Sequence, residues 1–173
     1  MSRDGQAVLQ IRDATQADWP AIWAFMRLIV AAGETFSWDT DIAEDEARDR
    51  WFRWLGRPVG FTVVAVDDQG SVLGTAESGP NFGGQAAHVA SASFMVDQER
   101  AGRGAGRALG EYVLRRARAE GFRAMQFNAV VQTNTRAVAL WQSLGFDILA
   151  TVPEGFLDPA NGYTGLHIMY RPL

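Results

Sequence analysis

Glycines alternate at positions 102, 104 and 106, just after an apolar run ending at Val96 and just before Leu109, Tyr112, Val113 and Ala117, which share one face at helical spacing. A chain with this stretch must turn sharply from strand to helix, with its backbone amides converging. Such a nest at a helix N-terminus suits a pyrophosphate, because free amides and the helix dipole both favour negative charge. Arg103 and Arg107 add cations that can bridge to phosphate oxygens. The Rossmann fingerprint needs a glycine three places after its second one, and those places hold Arg107 or Leu109, so a dinucleotide reading fails on spacing.

The remaining pattern alternates strands and helices. Val8 to Ile11 reads as a short strand. Thr15 with Asp18 marks a helix start, the hydroxyl capping free amides and the acid favouring the first turn. Ile22, Phe25, Met26 and Ile29 place that helix over Gln16 to Ala31, with Gly33 ending it. Glu34 to Trp38 reads as a loop and Ala43 to Leu55 as a second helix. Phe61 to Val66 and Ser71 to Glu77 are strands around an Asp68-Gln69-Gly70 turn, and Gly79 to Gly84 breaks structure by composition. A strand from His88 to Val96 leads into the glycine turn and its helix, which Gly121 ends. Ala124 to Val130 reads as a buried strand. Asn134 opens a helix with Ala137, Leu140, Trp141 and Leu144 inward, and Gly145 closes it. Phe146 to Val152 and Tyr163 to Tyr170 are the last strands. With no repeat, linker or low-complexity tract, residues 1–173 read as one α/β domain, long enough to bury about two-thirds of its unfolded surface.

Composition removes several chemistries. There is no cysteine, so disulfides, thiolate metal sites and cysteine nucleophiles are excluded. There is no lysine either, which removes Schiff-base catalysis and the P-loop lysine, and His88 and His167 are too few for an imidazole zinc site. No metal is expected. The first residues carry no apolar core of the signal-peptide kind, and the most apolar window, Ala21 to Ala32, is too short to span a bilayer, so a cytoplasmic protein without a membrane partner is expected. The net charge is −4, yet seven arginines between Arg100 and Arg123 face only Glu111 and Glu120, and Asp39 to Asp49 holds six acids. A small basic segment in an acidic protein points to a compact anionic ligand and away from nucleic acid. For Arg115, Arg116 and Arg118 a solvated helix face is the simpler reading.

The stretch from Val96 to Leu109 resembles the GCN5-related N-acetyltransferase family, whose Arg-x-x-Gly-x-Gly turn holds the pyrophosphate of acetyl-coenzyme A. Asn134, Ala137, Leu140, Trp141, Gly145 and Phe146 resemble the family's Asn-x-x-Ala-x-x-Leu-Tyr-x-x-x-Gly-Phe block. The resemblance implies a mixed, mostly antiparallel sheet of about seven strands flanked by about four helices, with acetyl-coenzyme A as cosubstrate. It places the coenzyme on Val96 and on Gly102, Arg103, Gly104, Ala105, Gly106 and Arg107, with Asn134 and Trp141 beside the pantetheine arm. Two positions depart from the pattern. Ala101 stands at the family's first Arg or Gln, with Arg100 just before it. Trp141 replaces the tyrosine that often protonates the leaving thiolate, and indole cannot serve as that acid. A thiol pKa of about 8.5 still makes the thiolate a tolerable leaving group.

Pro80-Asn81, Gly83, His88-Val89, Phe127-Asn128 and Asn134 further resemble a branch containing bacterial acetyltransferases and a yeast enzyme that acetylates proline analogues. That likeness implies a reaction-centre role for Asn128 and an acceptor-binding role at Ser91, where the yeast enzyme has asparagine. The implied reaction is direct attack of an amine on the thioester, with the Val96 amide polarising the carbonyl. Candidate bases are Glu77, His88 and Glu34. Each has a plainer reading: Glu77 as a surface carboxylate on an edge strand, His88 as a structural histidine at a strand start, Glu34 as a solvated loop residue. A buried asparagine in the apolar strand around Phe127 would need a partner, which favours a function for Asn128. Phe36 and Trp38 lie in a loop, where aromatics often line a site, whereas Trp19, Trp23, Trp51 and Trp54 read as packing. The expected acceptor is a small-molecule amine, an amino acid or analogue among the candidates, and the family is compatible with a homodimer. Two other readings stay open: a sensor that holds acyl-coenzyme A without turnover, and an acetyltransferase for protein N-termini or lysines.

Overall fold

In the computed structural model, which describes residues 9–173, the chain runs β1 (Gln10–Asp13), α1 (Trp19–Ala32), α2 (Glu44–Trp51), β2 (Phe61–Val66), β3 (Val72–Pro80), β4 (Val89–Val96), α3 (Ala105–Ala119), β5 (Ala124–Val131), α4 (Thr135–Ser143), β6 (Asp147–Asp158) and β7 (Gly162–Pro172). The strands form one seven-stranded sheet in the order β1-β2-β3-β4-β5-β7-β6. Every pairing is antiparallel except β4 with β5, which is parallel and is confined to Val89–Ala124 and Ala90–Met125. Beyond Ala90 and Met125 the two strands part, and the sheet is open between them.

β2 is buried along its whole length because both faces of the sheet are covered. Phe61, Val63 and Ala65 pack with Leu109, Val113 and Ala117 of α3. Val64 and Val66 face the opposite layer, with Ile22, Phe25, Met26 and Val30 of α1 and Trp51 of α2. The odd residues of β3 and β4 around the opening, Glu77, Ser91 and Ser93, therefore share the α1/α2 side with Val64, through the register Glu77↔Ser93 and Gly79↔Ser91.

Several boundaries differ from the sequence expectation, each for a local reason. β1 starts at Gln10; Val8 lies outside the described residues. A 3-10 turn, Gln16–Asp18, precedes α1, and there Thr15 and Asp18 form a capping box in which the Thr15 amide donates to the Asp18 carboxylate. α2 stops at Trp51, four residues early, because the chain turns to lay Trp54 against Gly60 and Gly79. β3 runs through Gly79 to Pro80, which pair with Ser91 and Ala90 of β4. β6 extends to Asp158 across register shifts, with Glu154 at φ 52°. Among the described residues no helix is long and apolar enough to cross a membrane.

Candidate active site

The parting of β4 and β5 opens a cleft of about 1070 Å³. β5 is bulged where it leaves β4, with the register to β7 shifting between Phe127 and Val130. Phe127 stays buried while Asn128 turns outward into the cleft. This corrects the expectation of a buried asparagine: Asn128 is exposed and exchanges hydrogen bonds with Asn81, while Gln126 Nε2 donates to its Oδ1 at 2.9 Å.

The glycine turn forms one wall of the cleft. Gly102 and Gly104 sit at φ 89° and 80°, a left-handed conformation that costs a residue with a Cβ about 1–2 kcal/mol. Space in front of both is open, and a Cβ on Gly106 would meet only ordinary contacts, Leu140 at 3.6 Å and Val96 at 3.7 Å. The first bond of α3 is Ala108 N–H to Gly104 O, so the amides of Ala105, Gly106 and Arg107 lie ahead of the helical ladder. That donor set fits a pyrophosphate. The side chains help less than expected: Arg103 reaches Asp67 at 3.6 Å, and Arg107 donates to Ser143 Oγ at 2.7 Å with Glu111 at 3.6 Å. Asn134 caps α4 by accepting from the Ala137 amide, and it borders the cleft with Trp141. Trp141 is buried against Phe94, at 4.6 Å between ring centroids, and Phe127, at 4.9 Å.

On the α1/α2 side, Glu34, Phe36 and Trp38 reach the cleft from the loop after α1, with Ser91 and Ser93 of β4 and Arg53 from the turn after α2. Phe36 and Trp38 are pinned edge-on against Trp51, whose indole donates to Thr75 Oγ1. Glu77 is no surface acid on an edge strand. It is 3% exposed on β3, in the interior of the sheet, and sits behind the wall. Ser93 Oγ donates to its Oε1 at 2.8 Å, and Arg53 grips both oxygens, Nη2 to Oε1 at 3.0 Å and Nε to Oε2 at 3.2 Å. Burial pushes the Glu77 carboxyl up, against the opposing pull of the Arg53 charge and these hydrogen bonds.

The cleft thus brings together Val96, the glycine turn, Asn134, Trp141, Glu34, Phe36, Ser91 and Asn128, with Glu77 one layer behind. His88 is left out: it is exposed in the turn before β4, where its carbonyl accepts from the Arg123 amide. Arg53, Ser93 and the pairing role of Asn81 escape sequence reasoning. Arg53 meets Glu77 across 24 residues of chain and no local pattern announces that pairing. For Ser93, strand alternation from Ser91 is the signal that was there to use.

The sequence profile of the acetyltransferase (GNAT) family matches residues 16–146. A GCN5-related N-acetyltransferase from Kribbella flavida superposes with a TM-score of 0.92 at 56% identity, covering 95% of this chain and 98% of that one. The L-methionine sulfoximine/L-methionine sulfone acetyltransferase of Pseudomonas aeruginosa is 33% identical over 146 residues, 83% of each chain. A phosphinothricin acetyltransferase from Sinorhizobium meliloti, solved in complex with acetyl-coenzyme A, superposes with a TM-score of 0.84 at 28% identity over 95% of this chain and 88% of its own. The chain belongs to the acetyltransferase (GNAT) family, and is an N-acetyltransferase with acetyl-coenzyme A as its cosubstrate.

Proposed function

We propose that this enzyme acetylates the primary amine of a small molecule, an amino acid or a close analogue, by direct attack on the thioester, and that it works as a cytoplasmic homodimer. The observation that carries the acceptor reading is that Glu34 and Arg53 both line the cleft, beside Phe36 and Ser91. A carboxylate and a guanidinium in one cleft suit a zwitterion, with Arg53 Nη1, which Glu77 does not engage, free to meet the acceptor carboxylate. The Pseudomonas relative acts on methionine sulfoximine and sulfone and the Sinorhizobium enzyme is named for phosphinothricin, which supports a compact acceptor over a protein chain.

In this reading the amides of residues 105–107 hold the pyrophosphate, and Asn134 and Trp141 flank the pantetheine arm. The Val96 amide, where β4 ends at the cleft, faces the developing oxyanion. Asn128 orients the amine through its carboxamide, because it has no useful basicity. An amine of pKa near 10 is only about 0.1% neutral at pH 7, a barrier of roughly 4 kcal/mol that a base must meet. Glu77 is that base. His88 has no part, being outside the cleft. For the homodimer, the support is the apolar outer strand β6, where Ile148, Leu149, Val152 and Leu157 stand exposed with Tyr163 of β7. A chain without cysteine carries none of the disulfides common in exported domains, in keeping with the cytoplasm.

The test is free-thiol release from acetyl-coenzyme A across amino acids, methionine sulfoximine, proline analogues and basic peptides. With no cysteine in the protein, a thiol-reactive dye sees only the coenzyme. Release driven by small amino acids is expected. Release driven only by peptides, or by nothing while the coenzyme binds, would overturn the small-acceptor reading.

A further inference from the structure

We propose that Ser93 is the proton relay between the acceptor ammonium and Glu77, with Arg53 holding the carboxylate in place. The inference rests on the acetyl-transfer reading above and concerns how the acceptor loses its proton. Glu77 has a side chain only 4% exposed and does not line the cleft, yet both of its charged and hydroxyl partners, Arg53 and Ser93, do. A proton leaving the acceptor must therefore cross one of them. Arginine has donors and no acceptor, so it cannot pass a proton on. Serine has one donor and two lone pairs. Ser93 spends its donor on Glu77 Oε1, at 2.8 Å, and its lone pairs remain to receive a proton from the cleft.

Strand register makes the arrangement specific. Ser91 and Ser93 both reach the cleft from β4, but Ser91 lies opposite Gly79, which has no side chain, whereas Ser93 lies opposite Glu77. Thr75, the next residue on that face of β3, is already committed to the Val63 carbonyl and the Trp51 indole. The charge facing Glu77 is Arg53, from the turn after α2. β2 and β4 set neutral Thr62 and Ser93 beside it, and the loop after α1 brings Glu34 to the same cleft. Burial raises the affinity of Glu77 for a proton and narrows its gap to the ammonium.

The step balances as follows. One ammonium proton moves to Ser93 Oγ while the Ser93 hydroxyl proton moves to Glu77 Oε1, leaving a neutral amine, an intact serine and a carboxylic acid. The amine lone pair forms the N–C bond to the acetyl carbonyl, and the C–S electron pair leaves with sulfur. A second proton leaves nitrogen for the thiolate, giving amide and thiol. Glu77 returns its proton to solvent through Ser93 once the product has gone.

The experiment compares the wild type with Ser93→Ala and Ser93→Thr, following thiol release with methionine sulfoximine and the amino-acid panel from about pH 6 to pH 10. Near pH 7, Ser93→Ala is expected to lower kcat by about a hundredfold. Its KM for acetyl-coenzyme A should hold, and the deficit should shrink as rising pH supplies neutral amine. Ser93→Thr, which keeps the hydroxyl, should recover most of the rate. Wild-type rate in Ser93→Ala, or a loss equal at every pH, would overturn the relay while leaving the acetyl-transfer reading intact. A wild-type enzyme that releases no thiol with any amine would overturn both.

Discussion

Asn81 and Asn128 hold each other by a reciprocal pair of amide hydrogen bonds, Asn81 Nδ2 to Asn128 Oδ1 at 3.2 Å and Asn128 Nδ2 to Asn81 Oδ1 at 2.6 Å. They stand on opposite sides of the open sheet, one just past β3 and the other on the β5 bulge, so the pair fixes the carboxamide of Asn128 across the gap. Asn128→Ala is expected to lower turnover by about tenfold or more, with acetyl-coenzyme A still bound, because in the proposed reaction the lost contact is one to the attacking amine. Asn81→Ala should give a smaller loss of the same kind, since it frees Asn128 without removing it. Thiol release checks turnover, and a coenzyme-induced thermal shift checks binding. Unchanged turnover in Asn128→Ala would remove that residue from the reaction centre.

Gly104 and Gly70 share almost the same backbone, at φ 80° and 79°, and neither has an atom within 4 Å of a built Cβ. Valine at either position therefore adds a strain of about 1–2 kcal/mol without a clash. Only at Gly104 would the side chain stand in front of the α3 amides. Gly104→Val should weaken acetyl-coenzyme A binding by more than about tenfold, while Gly70→Val should bind it normally. Retained affinity in Gly104→Val, measured by calorimetry, would take the pyrophosphate turn out of the site.

The part of the cleft proposed to hold the coenzyme is legible in the sequence because its determinants are local. The turn at 102–106 needs its glycines for backbone reasons, and Asn134 announces a helix start that the structure repeats as a side-chain cap on Ala137. Phe61–Val66 is legible too, an apolar β-branched run with a turn after it, and its burial on both faces follows from its central place. The acceptor half depends on contacts between distant segments. Glu77 reads equally as a base or a surface acid until Arg53, 24 residues earlier, is seen to fold over it. Asn128 reads as buried until the β5 bulge turns it outward, and that bulge exists where β5 parts from β4. The early end of α2 comes from Trp54 seeking two glycines in other strands and turns, which no helical periodicity can reveal.

Asp158, at the end of β6, accepts from Thr133 Oγ1 at 2.7 Å and from the amides of Ala160 and Asn161 at 2.9 and 3.0 Å. The Thr133 hydroxyl first, and then the backbone amides, hold its carboxyl down at about 2, against the usual 3.8. A folded-state value below the unfolded one means that the ionised form stabilises the fold. That contribution is complete above the unfolded value and is lost as pH falls through about 2. Asp158→Ala should therefore melt below the wild type at neutral pH, and the two melting points should converge as the solution is acidified toward pH 2. A gap that stays constant down to that pH would show that the carboxylate's charge has no part in it.

Among the described residues strand β6 is an edge of the sheet, and Leu149 and Leu157 are each about 60% exposed there. Exposed apolar strand surface of this kind is a docking surface or a liability. In the homodimer reading it pairs with a second copy, so Leu149→Glu combined with Val152→Glu should convert a dimer into a 19.0 kDa monomer in sedimentation equilibrium. A wild-type protein that sediments at 19.0 kDa at every concentration would dispose of the dimer.

Gly79 has the tightest surroundings of the described glycines: a Cβ there would lie 2.2 Å from Cε2 and 2.5 Å from Cζ2 of Trp54. On the same indole, the Arg53 guanidinium stacks 5.3 Å from the ring centroid while it grips Glu77. The buried indole nitrogen has no partner within ordinary hydrogen-bond geometry, its nearest polar influence being Glu77, so shape and the neighbouring side chains do most of the holding. A methyl group at Gly79 must push the ring aside, and Arg53 moves with the surface it stacks on. Gly79→Ala should destabilise the protein by about 1–3 kcal/mol and lower turnover more than it lowers coenzyme affinity. Adding Trp54→Phe makes room for the methyl and removes the unpartnered N–H, so the double variant should recover part of the lost stability. If Gly79→Ala instead melts like the wild type and turns over at the same rate, the path of contacts from Gly79 through Trp54 and Arg53 does not set the position of Glu77.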